Sequence, residues 1–100
     1  MTETSGIAGQ VFGSVWDALE DSPAEAANMR LRSELMIAVQ ETAAGWGLTQ
    51  VEAARRLDVT QPRLNDLLRG RVGKFSLDAL ILLAGRAGLS VHVQIGRAAA

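Results

Sequence analysis

Two helix starts only eleven residues apart constrain this chain more than any other feature. Thr49-Gln50-Val51-Glu52 has the Thr-x-x-Glu pattern of a capping box, and Thr60, followed by Pro62, opens the next helix. That spacing leaves room for one short helix and a three-residue turn, Asp58-Val59-Thr60. The first helix is expected to turn Val51, Ala54 and Leu57 inward, with Glu52, Arg55 and Arg56 outward. The second is expected to bury Leu64, Leu67 and Leu68 and to close at Gly70. Ala53 and Ala54 supply the small residues needed where two helices cross closely, and Leu57, Val59, Leu64 and Leu67 can lock the pair.

Helices flank this unit. Ser22-Pro23-Ala24-Glu25 reads as a capped start, and the helix is expected to run to about Ala44 and end at Gly45 and Gly47. Leu31, Leu35, Ala38, Val39 and Thr42 fall on one face of it. After a basic loop from Arg71 to Phe75, Ser76 caps a fourth helix with Leu77, Leu80, Ile81 and Ala84 as its apolar face, ending at Gly85 or Gly88. Val91, Val93 and Ile95 then alternate with His92 and Gln94, the pattern of a half-buried strand. The expected fold is mainly α: a bundle of four or five helices with one C-terminal β-strand. A lone strand has no backbone partner in its own chain. The simplest partner is the same strand of a second copy, with Val91, Val93 and Ile95 at the interface; the alternative is a strand of another protein.

The chain divides into a flexible acidic arm (1–21), the helical domain with its strand (22–95) and a tail (96–100). Its 100 residues fit one domain, and a composition 48% hydrophobic, with no Tyr and two Phe, favours helix over sheet. No cysteine is present, which removes disulfides and thiolate metal sites and suits a reducing cytoplasm. Met1 to Gln10 lack the basic and apolar regions of a leader, and Leu77 to Ala84 is too short to cross a membrane.

The net charge of −1 argues against a generally basic coat, but the charges are segregated. Residues 1–28 carry five acids and no Lys or Arg, whereas 29–100 hold all ten basic residues and six acids. A local excess of base falls on Thr49–Lys74, where Arg55, Arg56, Arg63, Arg69, Arg71 and Lys74 face Glu52, Asp58 and Asp66. Such a segment fits either a local nucleic-acid contact or a solvated mixed surface.

Two short helices at a fixed crossing are suited to DNA: the second fits the major groove while the first crosses the phosphate backbone. The run Leu48-Thr49-Gln50, Ala53-Ala54, Leu57, Val59-Thr60-Gln61-Pro62-Arg63-Leu64 and Asp66-Leu67 resembles the XRE, or lambda-repressor-like, helix-turn-helix family. Arg69-Gly70-Arg71, Phe75-Ser76-Leu77-Asp78-Ala79-Leu80, Gly88 and Val91–Ile95 are similar to its HigA-type antitoxin branch. Val15–Leu19, Ala26-Ala27 and Leu31–Met36 are similar to the lead-in of that branch. The resemblance covers roughly residues 14–95. It implies a lambda-repressor-like bundle, dimerisation and sequence-specific repression. It further implies an antitoxin that represses its own operon and neutralises a cognate ribosome-dependent RNase-type toxin. Two residues depart from the family pattern: Asp58 stands where the turn usually has Gly, and Pro62 where many phage repressors carry a base-reading Gln. Asp enters left-handed backbone more readily than most residues, so the turn is expected to survive. Pro62 means that the base code of phage repressors does not transfer.

In that frame, Gln50 lies at a helix start where free N–H groups can hold a phosphate. Thr60 and Gln61 begin the reading helix, and a Gln can pair with adenine. Arg63 can pair with guanine or clamp a phosphate. Asn65 and Asp66 share that turn, with Asp66 as suited to orienting Arg63 or Arg69 as to touching a base. Arg69, Arg71 and Lys74 are placed for phosphates. Arg55 and Arg56 read more simply as a solvated face. A dimer would present two reading helices to successive major grooves, so the DNA is expected to be roughly palindromic.

Trp46 is expected to cap the core. Trp16 either folds back on its own domain or anchors a partner. With Asp17, Glu20 and Asp21 it is the candidate contact for a basic toxin. His92 is the only histidine, so no metal site is expected, and no cofactor motif or convergent catalytic group occurs. A stand-alone regulator without a toxin, or an interaction module that has lost DNA binding, fits the same residues; an enzyme fits them least.

Overall fold

Helix caps set the architecture. The computed structural model describes residues 22–97. Ser22 accepts the Glu25 N–H through its hydroxyl and starts α1 (Pro23–Ala44), with Pro23 where a missing N–H costs no bond. The Thr49 box is complete: its hydroxyl accepts from the Glu52 N–H at 3.2 Å, and the Glu52 carboxylate accepts from the Thr49 N–H at 3.1 Å. These bonds, the backbone one foremost, with the nearby Arg55 charge, hold the Glu52 carboxyl below its ordinary value. They open α2 (Gln50–Leu57). Thr60 caps α3 (Gln61–Leu68), a 3-10 turn follows at Val72–Lys74, and Ser76 caps α4 (Leu77–Arg86).

One device ends the last three helices. A residue with positive φ sits at Asp58, Gly70 and Gly88, and the next N–H reaches back five residues: Val59 to Ala54, Arg71 to Asp66, Leu89 to Ala84. Asp58 fills the left-handed slot at φ 58° and ψ 47°, as its residue type allowed. A β-branched side chain is strained there. Asp58→Val is therefore expected to destabilise the domain by roughly 1–2 kcal/mol. Thermal melts followed by circular dichroism measure this, and an unchanged midpoint would contradict the turn geometry.

The core gathers Met36 and Val39 of α1, Ala53, Ala54 and Leu57 of α2, and Leu64 and Leu67 of α3. Phe75, then Leu80, Leu83 and Ala84 of α4 with Ala87 beyond it, complete the cluster. Several expected inward residues lie elsewhere. Val51, Leu68 and Ile81 are 46%, 40% and 38% exposed. At about 100° per residue, Ala53, Ala54 and Leu57 centre the α2 stripe roughly 115° from Val51. In α4, Leu80, Leu83, Ala84 and Ala87 put Ile81 about 110° off centre, and Leu68 lies at the edge of the α3 stripe. In α1 the buried line is Met36, Val39 and Ala43, so Leu31, Leu35, Ala38 and Thr42 are only half-buried. Trp46 packs against the core, as expected of it.

Among the described residues there are four α-helices and no strand. Residues 91–97 carry no regular structure, because no second extended segment lies within the described chain to pair with them. Val91 packs on the core, whereas Val93 and Ile95 are exposed. The acidic arm, with Trp16, Asp17, Glu20 and Asp21, lies outside the described residues.

Candidate nucleic-acid interface

The exposed end of α3 is built from its cap outward. The Thr60 hydroxyl accepts from the Arg63 N–H at 3.2 Å, fixing the first turn. Gln61 and Pro62 stand exposed on that turn, and Asn65, half-buried, follows one turn on. Gln50 is exposed at the start of α2. The two helices are locked through Leu57, Leu64 and Leu67, with Val59 of the turn packed against them. Arg86 of α4 donates to the Leu57 carbonyl at 3.3 Å and approaches the Asp58 carboxylate at 3.8 Å, tying the turn to α4. The Gln40 amide of α1 donates to the Leu67 carbonyl at 2.7 Å, satisfying an acceptor at the C-terminus of α3.

Arg69, Arg71 and Lys74 are all exposed beyond α3. Between Gln61 and Phe75 there are four basic residues and a single acid, Asp66. That acid pairs with Arg71 at 3.0 Å, rather than with Arg63 or Arg69. The match follows from the cap of α3: the Arg71 N–H bonds the Asp66 carbonyl, which brings the two side chains together. Asp66 is therefore held by a neighbour, and Gln61 and Asn65 are the polar side chains left on the outer face.

Arg63 departs from its expected outward pose. Its guanidinium lies over the Phe75 ring, 4.0 Å from the centroid, and donates to the Lys74 carbonyl at 2.8 Å. This packs the 3-10 turn beside the first turn of α3. Arg56 is likewise occupied, 4.1 Å over the Trp46 ring, while Arg55 remains on the solvated face.

Sequence reasoning gave Arg32 no role. It donates through Nη1 to the carbonyls of Phe75 (3.2 Å) and Val72 (3.4 Å), and through Nε to Asn28 at 2.7 Å. A signal was available: Arg32, Met36, Val39 and Ala43 recur at i, i+4, i+7 and i+11, so an arginine continues the buried line of α1.

The arrangement offers hydrogen-bonding side chains on a projecting helix end, basic groups beside it and no acid free to repel a phosphate. Among the described residues no cluster of His, Cys, Asp and Glu could hold a metal ion. No described helix is long and apolar enough to cross a membrane. A family model described as a helix-turn-helix domain matches residues 18–96. No curated protein matches the chain.

Proposed function

Since the chain belongs to the helix-turn-helix domain family, we propose that it is a sequence-specific DNA-binding repressor that lays α3 in the major groove. The observation that carries this reading is the exposed first turn of α3, capped by Thr60, locked to α2 and flanked by Arg69, Arg71 and Lys74. Gln61 and Asn65 read base edges, Thr60 and Gln50 meet backbone or base at the two helix starts, and Arg69, Arg71 and Lys74 contact phosphates. Asp66 acts by orienting Arg71.

The active form is a dimer joined through Val91, Val93 and Ile95. Support comes from an extended segment whose backbone is unpaired, beside a groove lined by Leu35, Ala38, Ile81 and Val91. The operator is then roughly palindromic. The protein further acts as the antitoxin of a type II pair, its acidic arm (Trp16, Asp17, Glu20, Asp21) meeting a basic toxin, as the resemblance to HigA-type antitoxins suggests. A toxin-like coding sequence beside its own supports that role; its absence leaves a stand-alone regulator.

Fluorescence anisotropy against duplex from upstream of its own coding sequence, with a scrambled duplex alongside, tests the repressor reading. Gln61→Ala with Asn65→Ala is expected to cut the preference for the upstream duplex by 10-fold or more, from about 1–3 kcal/mol per lost base contact. Equal, weak binding of the unaltered protein to both duplexes would reject sequence-specific recognition of this operator.

A further inference from the structure

The loop after α3 is gripped from two sides by arginines. Arg32 of α1 takes the carbonyls of Val72 and Phe75, and Arg63 of α3 takes the carbonyl of Lys74 while covering the Phe75 ring. Between them they hold three carbonyls of a five-residue segment, Arg71–Phe75, whose Phe75 side chain is fully buried. Internal bonds supply the rest: Lys74 N–H to Arg71 O at 2.9 Å and Phe75 N–H to Val72 O at 3.1 Å. The two side chains left free to point outward are those of Lys74 and, beside Asp66, Arg71.

We propose that Arg32 and Arg63 are positioning residues that preform the loop Arg71–Phe75 as a phosphate-binding element next to the reading helix, and that Arg63 reads no base. The inference rests on the DNA-binding reading above. A guanidinium suits the task because its planar fork reaches two carbonyls at fixed angles and its face stacks on an aromatic ring. Placing Lys74 and Arg71 before DNA arrives spares the complex the ordering of a loop. It also explains an arginine on the buried line of α1: its charge is spread over neutral acceptors belonging to the segment that it fixes.

Two readouts separate positioning from base reading and from a purely structural role. One is the ratio of affinities for the upstream and scrambled duplexes, and the other is the slope of log affinity against log salt. Each phosphate contact contributes about 0.9 to that slope. With the loop released, Arg32→Ala and Arg63→Ala are each expected to weaken binding to both duplexes alike and to lower the slope by up to about 1.8, for Arg71 and Lys74. The ratio stays within about two-fold, because no base contact is lost. Arg32→Lys, which keeps a charged donor, recovers part of the slope, so the question stays open to test even if Arg32→Ala fails to fold.

A fall of 10-fold or more in the ratio for Arg63→Ala would make Arg63 a base reader and overturn the assignment. A folded Arg32→Ala, or a folded Arg32→Lys should the alanine variant not fold, with a lowered melting point but the unaltered slope would leave Arg32 a structural residue only. If the unaltered protein binds neither duplex, the DNA-binding reading itself falls, and the inference with it. Those three results are distinct.

Discussion

Phe75→Ala lowers the unfolding free energy by about 3–5 kcal/mol, the largest single-residue effect expected in this domain. Phe75 is 1% exposed and packs in the one cluster shared by all four helices. Truncation removes the ring and leaves a void that α1, α3 and α4 cannot close without shifting their caps. It also strips the surface on which the Arg63 guanidinium lies, at 4.0 Å. A domain of this size has a total stability of roughly 5–15 kcal/mol, so the variant retains little. Urea denaturation followed by circular dichroism measures the loss. Val51→Ala, on an exposed position of α2, serves as the comparison and is expected within about 0.5 kcal/mol of the parent. Equal effects at the two positions would mean that the core is wrongly drawn.

Replacing Arg69, Arg71 and Lys74 together by Gln is expected to cost DNA affinity far more than stability. Three phosphate contacts account for about 2.7 of the slope of log affinity against log salt, which corresponds to roughly 10²–10³-fold in affinity at 0.1 M salt. Arg71 has a second effect. Without it the Asp66 carboxylate loses its partner at 3.0 Å and stands uncompensated beside the phosphates. The fold is expected to tolerate the change, because an exposed ion pair is worth at most about 1 kcal/mol. Anisotropy titrations at several salt concentrations read the slope, and a thermal melt reads stability. An unchanged slope would place the DNA on another face.

How legible this was in the sequence depended on the kind of signal. Caps are local, so Ser22, Thr49, Thr60 and Ser76 marked all four helix starts correctly. The left-handed Asp58 was legible for the same reason: the demand on its backbone is set within one turn. Inward faces were harder to read. Helix α1 carries apolar residues around much of its circumference, with Leu31, Leu35, Met36, Ile37 and Val39 in one stretch, and periodicity alone does not choose among them. Packing against α4 and the loop after α3 selected Met36, Val39 and Ala43. In α4, Ile81 and Leu82 compete with Leu83 in the same way, and Leu83 is the one buried.

At the candidate interface, helix starts and basic positions could be read from the chain, but the pairing of long side chains could not. Asp66 meets Arg71 because a helix cap brings their backbones together, and Arg63 turns back because Phe75 offers a ring and Lys74 a carbonyl. Neither partnership leaves a mark in residue spacing. The strand reading of Val91–Ile95 came from alternation, a real property of the segment. Alternation specifies a face and says nothing of the pairing partner that makes a strand.

The central claim is that α3 enters the major groove with the following loop on the backbone. Titration of duplex from upstream of the coding sequence into isotopically labelled protein, followed by amide NMR shifts, tests it most directly. The largest shifts are expected at Gln50, at Thr60 to Asp66 and at Arg69 to Lys74, with α4 and the middle of α1 little moved. Shifts confined to α4 and residues 90–97, or none with any duplex, would contradict it.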